Sequence, residues 1–338
     1  MKMQSYFRLV LILITAFSFL ASIDASAKTT TIKIALITPE GSTWTNTLHK
    51  MADEVKKRTA GEVDFKIYAG GVSGDELDVL RKMRANRIHA SGFSGVGLGV
   101  ILPSIRILEA PLLFRNYAET DWVKEKLYDH FAEEFLKEGY VLLGFAEAGF
   151  VYFFSKIDLA QNNALKNMKM WAWKGDPVAE TFLKTFGIRT YPLHITDVNT
   201  GLETGMIDSF YSPPLAAIAF QWYSRIQFML DYSMVNSTGA LLLKKNIFDR
   251  LSEKNKDIFK EVAGKYCNEL IRLTRRDNAE AVEVLKETGI EIVNPSKEQI
   301  ATFEKNAQKI YEKNIPDLYS RELFNKVQAI LTDYRKSN

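Results

Sequence analysis

Residues 253–287 set a lower limit on the size of whatever this chain folds into. They read as one helix or a kinked pair, with Ser252 at the N-cap and Gly289 just past the end. At about 1.5 Å per residue such a helix extends roughly 50 Å, longer than one lobe of about 150 residues. A helix of that length runs across two lobes, and Gly264 is the expected place for a bend.

The rest of the pattern says what those lobes contain. Ile32, Ile34 and Leu36 alternate with Lys33 and Ala35, a strand over residues 31–38. A helix follows with Leu48, Met51, Ala52 and Val55 on one face, closed by Gly61. Val63, Phe65, Ile67 and Ala69 form a second strand, Leu77, Leu80, Arg84 and Ile88 suit a second helix, and residues 89–93 are strand-like before a Gly-rich loop. Strand–helix alternation predicts an α/β fold with a mostly parallel sheet, whose ligands bind beyond the carboxyl ends of the strands. The loops 39–44 and 93–99 belong there. Further on, residues 140–149 read as a strand, and Asp176 caps a helix with Pro177 at its first position. Thr196 opens a short helix ending at Gly205, and residues 207–211 form a strand stopped by Pro213-Pro214. Ser296 and Gln299 make a capping box.

Residues 1–27 read as an address rather than structure. Lys2 and Arg8 precede an apolar run from residue 9 to 21, and Ala25-Ser26-Ala27 is a small-residue cleavage site. That is a secretory signal peptide, too short an apolar run to span a bilayer comfortably. The mature chain then starts near Lys28, and no cysteine lies close enough to carry an N-terminal lipid. Removing Lys2, Arg8 and Asp24 leaves 42 basic and 40 acidic side chains, a balance that argues against a nucleic-acid partner. The only cysteine, Cys267, has no partner for an intramolecular disulfide and reads as a buried packing residue in a helix.

Between residues 165 and 173 the sequence reads Leu-Lys-Asn-Met-Lys-Met-Trp-Ala-Trp, a short strand. Alternation sends Met168, Met170 and Ala172 to one face and Lys169, Trp171 and Trp173 to the other. Two indoles therefore share one side of a strand immediately before a helix start.

At this point the pattern resembles the periplasmic solute-binding subunit of a tripartite ATP-independent periplasmic (TRAP) transporter, the DctP-like kind. The matching pieces are Ala110-Pro111-Leu112-Leu113-Phe114, the segment 139–144, Leu165 to Met170 standing for L-K-G-L-K-I, Gly187, Pro192-Leu193, and residues 201–208, which resemble A-L-Q-T-G-x-x-D. The resemblance implies a two-lobed periplasmic binding protein fold, type II-like, with hinge strands and one long helix spanning both lobes. It places residues 28–150 plus 238–277 in the first lobe and 151–237 plus 278–338 in the second. Its partners would be the small and large membrane permease subunits, in uptake driven by a sodium or proton gradient, and the protein would be periplasmic.

The departures from the family carry the ligand expectation. An arginine that follows L-K-G-L-K-I and pairs with a ligand carboxylate falls here on Trp171. A second frequent arginine falls on Val151, and an asparagine before a proline falls on Ser212. A carboxylate in an apolar cleft without a cation costs several kcal/mol, whereas an indole buries roughly 150–250 Å² against rings or alkyl chains. The Trp-x-Trp-x-Gly-Asp-Pro variant resembles a minor branch of the family, which implies a hydrophobic cleft and a tetratricopeptide-repeat protein as a partner.

The ligand-binding candidates are Trp171, Trp173, Phe150, Val151, Tyr211, Ser212, Trp44, Ser94 and Glu147. The expected function is capture of a hydrophobic or neutral, aromatic or lipid-like ligand and its delivery to the permease. Two other readings stay open: an amphiphilic acid whose head pairs with Lys174 or backbone donors, and a periplasmic scaffold without transport. No enzyme is expected. His49, His89, His130 and His194 lack metal-site spacing, Gly92-Phe93-Ser94-Gly95-Val96 lacks the last glycine of a nucleophile elbow, and Gly95, Gly97 and Gly99 do not make G-x-G-x-x-G. Neither cofactor nor metal is expected.

Overall fold

The computed structural model describes residues 29–161 and 164–337; the signal peptide read over residues 1–27 lies outside them. The first lobe begins β1 (Thr30–Ala35), α1 (Thr43–Arg58), β2 (Val63–Tyr68), α2 (Glu76–Arg84), β3 (Ala90–Ser94), α3 (Gly95–Ile101) and, after a 3₁₀ turn at Pro103–Glu109, α4 (Tyr117–Lys137). Strand β4 (Tyr140–Ser155) then leads into the second lobe. That lobe contains β5 (Lys169–Trp173), α5 (Pro177–Thr185), β6 (Arg189–Leu193), α6 (Val198–Glu203), β7 (Ser209–Ser212), α7 (Pro214–Ala219) and β8 (Phe228–Leu230). The chain returns through β9 (Val235–Lys244) and α8 (Glu253–Glu287), and closes with β10 (Glu291–Val293), α9 (Lys297–Asn314) and α10 (Arg321–Ser337).

The strands run in the order β2-β1-β3-β9-β4-β7-β5-β6, with β8 joining β4 to β10. Strand β4 makes the crossing: it pairs with β9 over residues 140–151 and with β7 over residues 152–155. At about 3.3 Å per residue its 16 residues reach roughly 50 Å, and α8 matches it on the outside. Register slips at Leu142/Gly144 and Glu147/Gly149 bend the strand where the lobes meet. Helix α8 is stitched to that bend: the Asn278 amide donates to Ala148 O at 2.8 Å and accepts from the Leu215 N–H of α7 at 3.0 Å.

Helix α8 is capped as its sequence suggests, Ser252 Oγ accepting from Asn255 N, and it runs unbroken through Gly264. Its Cys267 packs where Gly144 has no side chain; a β-carbon there would lie 2.8 Å from the sulfur. Each lobe has apolar clusters on both faces of its part of the sheet. Met168, Met170 and Ala172 enter one cluster of the second lobe and Trp171 and Trp173 the other, as alternation requires.

Several sequence expectations change. The sheet is mixed rather than mostly parallel, because β4 and β9 run antiparallel to each other and to the strands beside them. The buried face of α2 is Glu76, Val79, Leu80 and Met83, while Arg84 is exposed; its spacing suits the helix but not the buried face. Thr196 sits inside a 3₁₀ turn, and Asp197 precedes α6. The Gly-rich stretch after β3 is helical. Residues 278–338 do not stay together. Helix α9 packs on α5, but α10 packs on α4, where Leu323, Phe324, Val327 and Leu331 join Val123, Leu127 and Phe131.

Candidate functional site

The two lobes enclose a cavity of about 420 Å³, within the size range of small-molecule sites. From the first lobe, Trp44 at the start of α1 and Ser94 at the end of β3 line it. The second lobe supplies Trp171, Trp173, Tyr211 and Ser212, and Val151 comes from the crossing strand.

The second-lobe wall is built of stacked rings. Trp171 lies parallel to Tyr211, with centroids 5.1 Å apart and planes 16° apart, and meets Trp222 edge-on at 5.2 Å. Trp222 stacks in turn on Phe220 at 5.1 Å. The Trp171 indole N–H is already spent on Leu193 O at 3.1 Å, so the ring offers its neighbours carbon and π surface. Opposite, Trp44 lies flat over the sheet because Gly92 and Gly239 have no side chains; a β-carbon at Gly92 would fall 2.8 Å from its ring.

One charged cluster interrupts the apolar lining. Arg106, 3% exposed, donates from Nη2 to Asp176 at 2.8 Å and lies 3.1 Å from Glu109. Burial pushes the Glu109 carboxyl up, against the opposing pull of Arg106. Glu76 is buried nearby and accepts from Ser94 N and Gly97 N, both at 2.7 Å, and from Ser94 Oγ at 3.0 Å. Burial nevertheless raises its pKa to about 7. Among the described residues lining the cavity, Arg106 is the only cation, against the carboxylates of Glu76, Glu109 and Asp176.

Helix α3 makes room for all three of its charged neighbours. A β-carbon at Gly95 would lie 1.9 Å from a Glu109 oxygen, at Gly97 2.7 Å from a Glu76 oxygen, and at Gly99 2.8 Å from Arg106 Cδ. Sequence reasoning passed over Arg106, Glu109, Glu76 and Asp176 as site residues. The alternate glycines at 95, 97 and 99 were the available signal, since a helix carrying glycine at every second position is expecting close neighbours.

Two helix N-caps tie the lobes together across the cavity. Asp75, at the start of α2, accepts from Trp173 Nε1 at 3.1 Å and from Ile195 N at 3.1 Å, both in the second lobe. Asp176, at the start of α5, accepts from Val178 N at 3.0 Å and receives Arg106 from the first lobe.

Seven of the nine sequence candidates therefore converge on the cavity, and two do not. Phe150, next to Val151 on β4, takes the opposite face of the strand and packs on Tyr117 with centroids 4.8 Å apart. Glu147 is fully buried in an ion cluster, 2.5 Å from Arg275 Nε and 3.5 Å from Lys124 Nζ, and belongs to the hinge. The Ser94 and Ser212 hydroxyls are engaged with Glu76 and with Pro213 O at 3.0 Å. Lys174 is exposed and lies outside the lining.

The sequence profile of the bacterial extracellular solute-binding proteins of family 7, DctP, matches residues 34–317. The chain belongs to the DctP family. A solute-binding protein of Verminephrobacter eiseniae is 28% identical over 273 residues, which are 80% of this chain and 81% of that one. The 2,3-diketo-L-gulonate-binding periplasmic protein YiaO of Escherichia coli is 23% identical over 252 residues, 72% of this chain and 75% of its own. The fold is that of the TRAP periplasmic solute-binding protein of Xanthobacter autotrophicus crystallised with β-D-galacturonate, with a TM-score of 0.83 at 20% identity over 89% of this chain and 99% of the other. In this DctP chain a two-lobed cleft thus carries stacked indoles in its wall and a guanidinium already held by two carboxylates.

Proposed function

We propose that this protein is the periplasmic solute-capturing subunit of a TRAP-type secondary transporter, and that its cleft selects a hydrophobic or neutral ligand, aromatic or lipid-like. It would hand that ligand to the small and large membrane subunits of the permease. The single observation that carries the ligand class is the composition of the cavity: an aromatic wall of Trp171, Tyr211 and Trp222, and one guanidinium bracketed by Asp176 and Glu109.

The relatives pull the other way. The E. coli protein is named for a sugar acid and the Xanthobacter protein held a hexuronate. In this chain a carboxylate would meet Glu76, Glu109 and Asp176 around one arginine, so no positive charge is left over to balance it. Desolvating an unpaired anion costs several kcal/mol. An exposed Lys174 does not supply the missing cation.

Calorimetric titration of the mature protein tests the reading. Neutral aromatic and lipid-like molecules should bind, and galacturonate and short dicarboxylates should not. Tight binding of an acid, with the neutral molecules inert, would remove the proposed ligand class.

A further inference from the structure

The cavity has a polar patch whose donors are not all used. Arg106 Nη2 serves Asp176, but Nε and Nη1 of the same guanidinium are buried without a partner. Thr238 Oγ1 is also buried and unpartnered, and so is Thr274 Oγ1. All three residues line the cavity, although the unpartnered atoms themselves lie beneath its surface and meet a ligand only when these side chains turn toward it. Thr238 adjoins the arginine cluster directly, since its backbone N–H donates to Glu109 Oε1 at 2.8 Å. A buried donor left without an acceptor costs about 1–3 kcal/mol, and more for a charged group. Buried guanidinium nitrogens are therefore strong claimants for an oxygen atom.

The charge around them decides which kind of oxygen. Asp176 and Glu109 lie 2.8 and 3.1 Å from the same Nη2. With both carboxylates ionised the trio carries one negative charge, and with Glu109 protonated it carries none. A ligand carboxylate would make the patch net negative in either state. An uncharged oxygen gains the hydrogen bonds without that penalty.

We infer that the ligand carries an uncharged oxygen, a ketone, hydroxyl or amide carbonyl, that hydrogen-bonds the Arg106–Thr238 patch while its ring or hydrocarbon body lies against Trp171, Trp222 and Phe220. This rests on the neutral-ligand reading above and narrows it. Arg106 is then the residue that sets polarity within an otherwise apolar cavity, and Gly99 is the position that admits its side chain.

Three matched probes on one skeleton separate the possibilities: 2-ethylnaphthalene without oxygen, 2-acetylnaphthalene with a ketone, and 2-naphthoate with a carboxylate. Each is titrated into the mature protein and followed by quenching of indole fluorescence. The ketone should bind at least tenfold more tightly than the hydrocarbon, and the carboxylate most weakly. Thr238→Val, which keeps shape and removes the hydroxyl, should lower the ketone's advantage several-fold. Arg106→Met should abolish that advantage; because it strands two carboxylates, the Thr238 variant is the one that stands if folding fails. Equal affinity for ketone and hydrocarbon would overturn this inference and leave the neutral-ligand reading intact. Naphthoate as the tightest binder, or no binding by any probe, would overturn both.

Discussion

The Trp173 indole nitrogen donates to the Asp75 carboxylate at 3.1 Å, from one lobe to the other. The same carboxylate takes the Ile195 N–H, and His194 Nδ1 lies 3.3 Å away. A group that caps α2 in the first lobe thus reads the position of three residues in the second. Hydrogen bonds to a charged group contribute about 1.5–3 kcal/mol, enough to shift an open–closed equilibrium tenfold or more. Trp173→Phe keeps a ring in the wall and removes the donor. Spin labels placed one on each lobe should then show a larger share of long interlobe distances than in the unaltered protein. An unchanged distance distribution would mean that the contact does not govern closure.

Glu76 should make stability depend on pH in an unusual direction. Burial holds its carboxyl at about 7, above the ordinary 4.5, despite the N–H groups it accepts from. The native protein keeps a proton there that the unfolded chain gives up between those two values. The stabilisation is complete below about pH 4.5, declines as pH rises through 7, and is flat above. Urea denaturation of the unaltered protein and Glu76→Gln at several pH values should show their difference in stability shifting toward the variant by about 3 kcal/mol over that window. A difference independent of pH would show that the carboxyl titrates alike in the folded and unfolded protein, without the upward shift.

Two helical glycines should respond oppositely to the same change. Gly264, inside α8, has nothing within 4 Å of a β-carbon, so Gly264→Ala should stabilise the protein by about 0.5–1 kcal/mol. At Gly95 the added methyl would collide with the Glu109 carboxylate. Gly95→Ala should cost about 1–3 kcal/mol and disturb the Arg106 cluster. Chemical denaturation measures both, and equal effects would contradict the packing described.

Cys267 should be inert until the protein unfolds. Burial pushes its thiol up to about 12, and it is 2% exposed against Gly144. A maleimide should label it at the rate of global opening, rising with denaturant. Rapid labelling of the native protein would place the thiol at the surface.

Much of the architecture was legible because it is local. Ser252, Asp176 and the Ser296–Gln299 box mark helix starts by direct side-chain bonds to nearby N–H groups. Alternation placed Met170 and Trp171 on opposite faces of β5. The aromatic wall was legible in part because the same alternation puts Trp171 and Trp173 together on one face of β5. What escaped was non-local. Strand periodicity does not say which neighbours a strand takes, so the antiparallel pair β4 and β9 at the centre of the sheet went unread. Arg106 lies in an apolar-looking 3₁₀ turn, Ile105-Arg106-Ile107, and only the fold brings it against Asp176, 70 residues later. Phe150 adjoins Val151 on β4, so alternation itself leaves only one of the two on the cavity side, and Glu147 is taken up by Arg275 and Lys124, partners that only the fold brings to it.

The central claim is that this cleft holds a neutral, largely apolar molecule where relatives hold acids. Native mass spectrometry of the protein purified from its own host, followed by solvent extraction and identification of the bound molecule, tests it most directly. The account predicts an uncharged molecule with an aromatic or hydrocarbon body that fits the cavity of about 420 Å³. A hexuronate, another sugar acid or a short dicarboxylate as the bound species would contradict it.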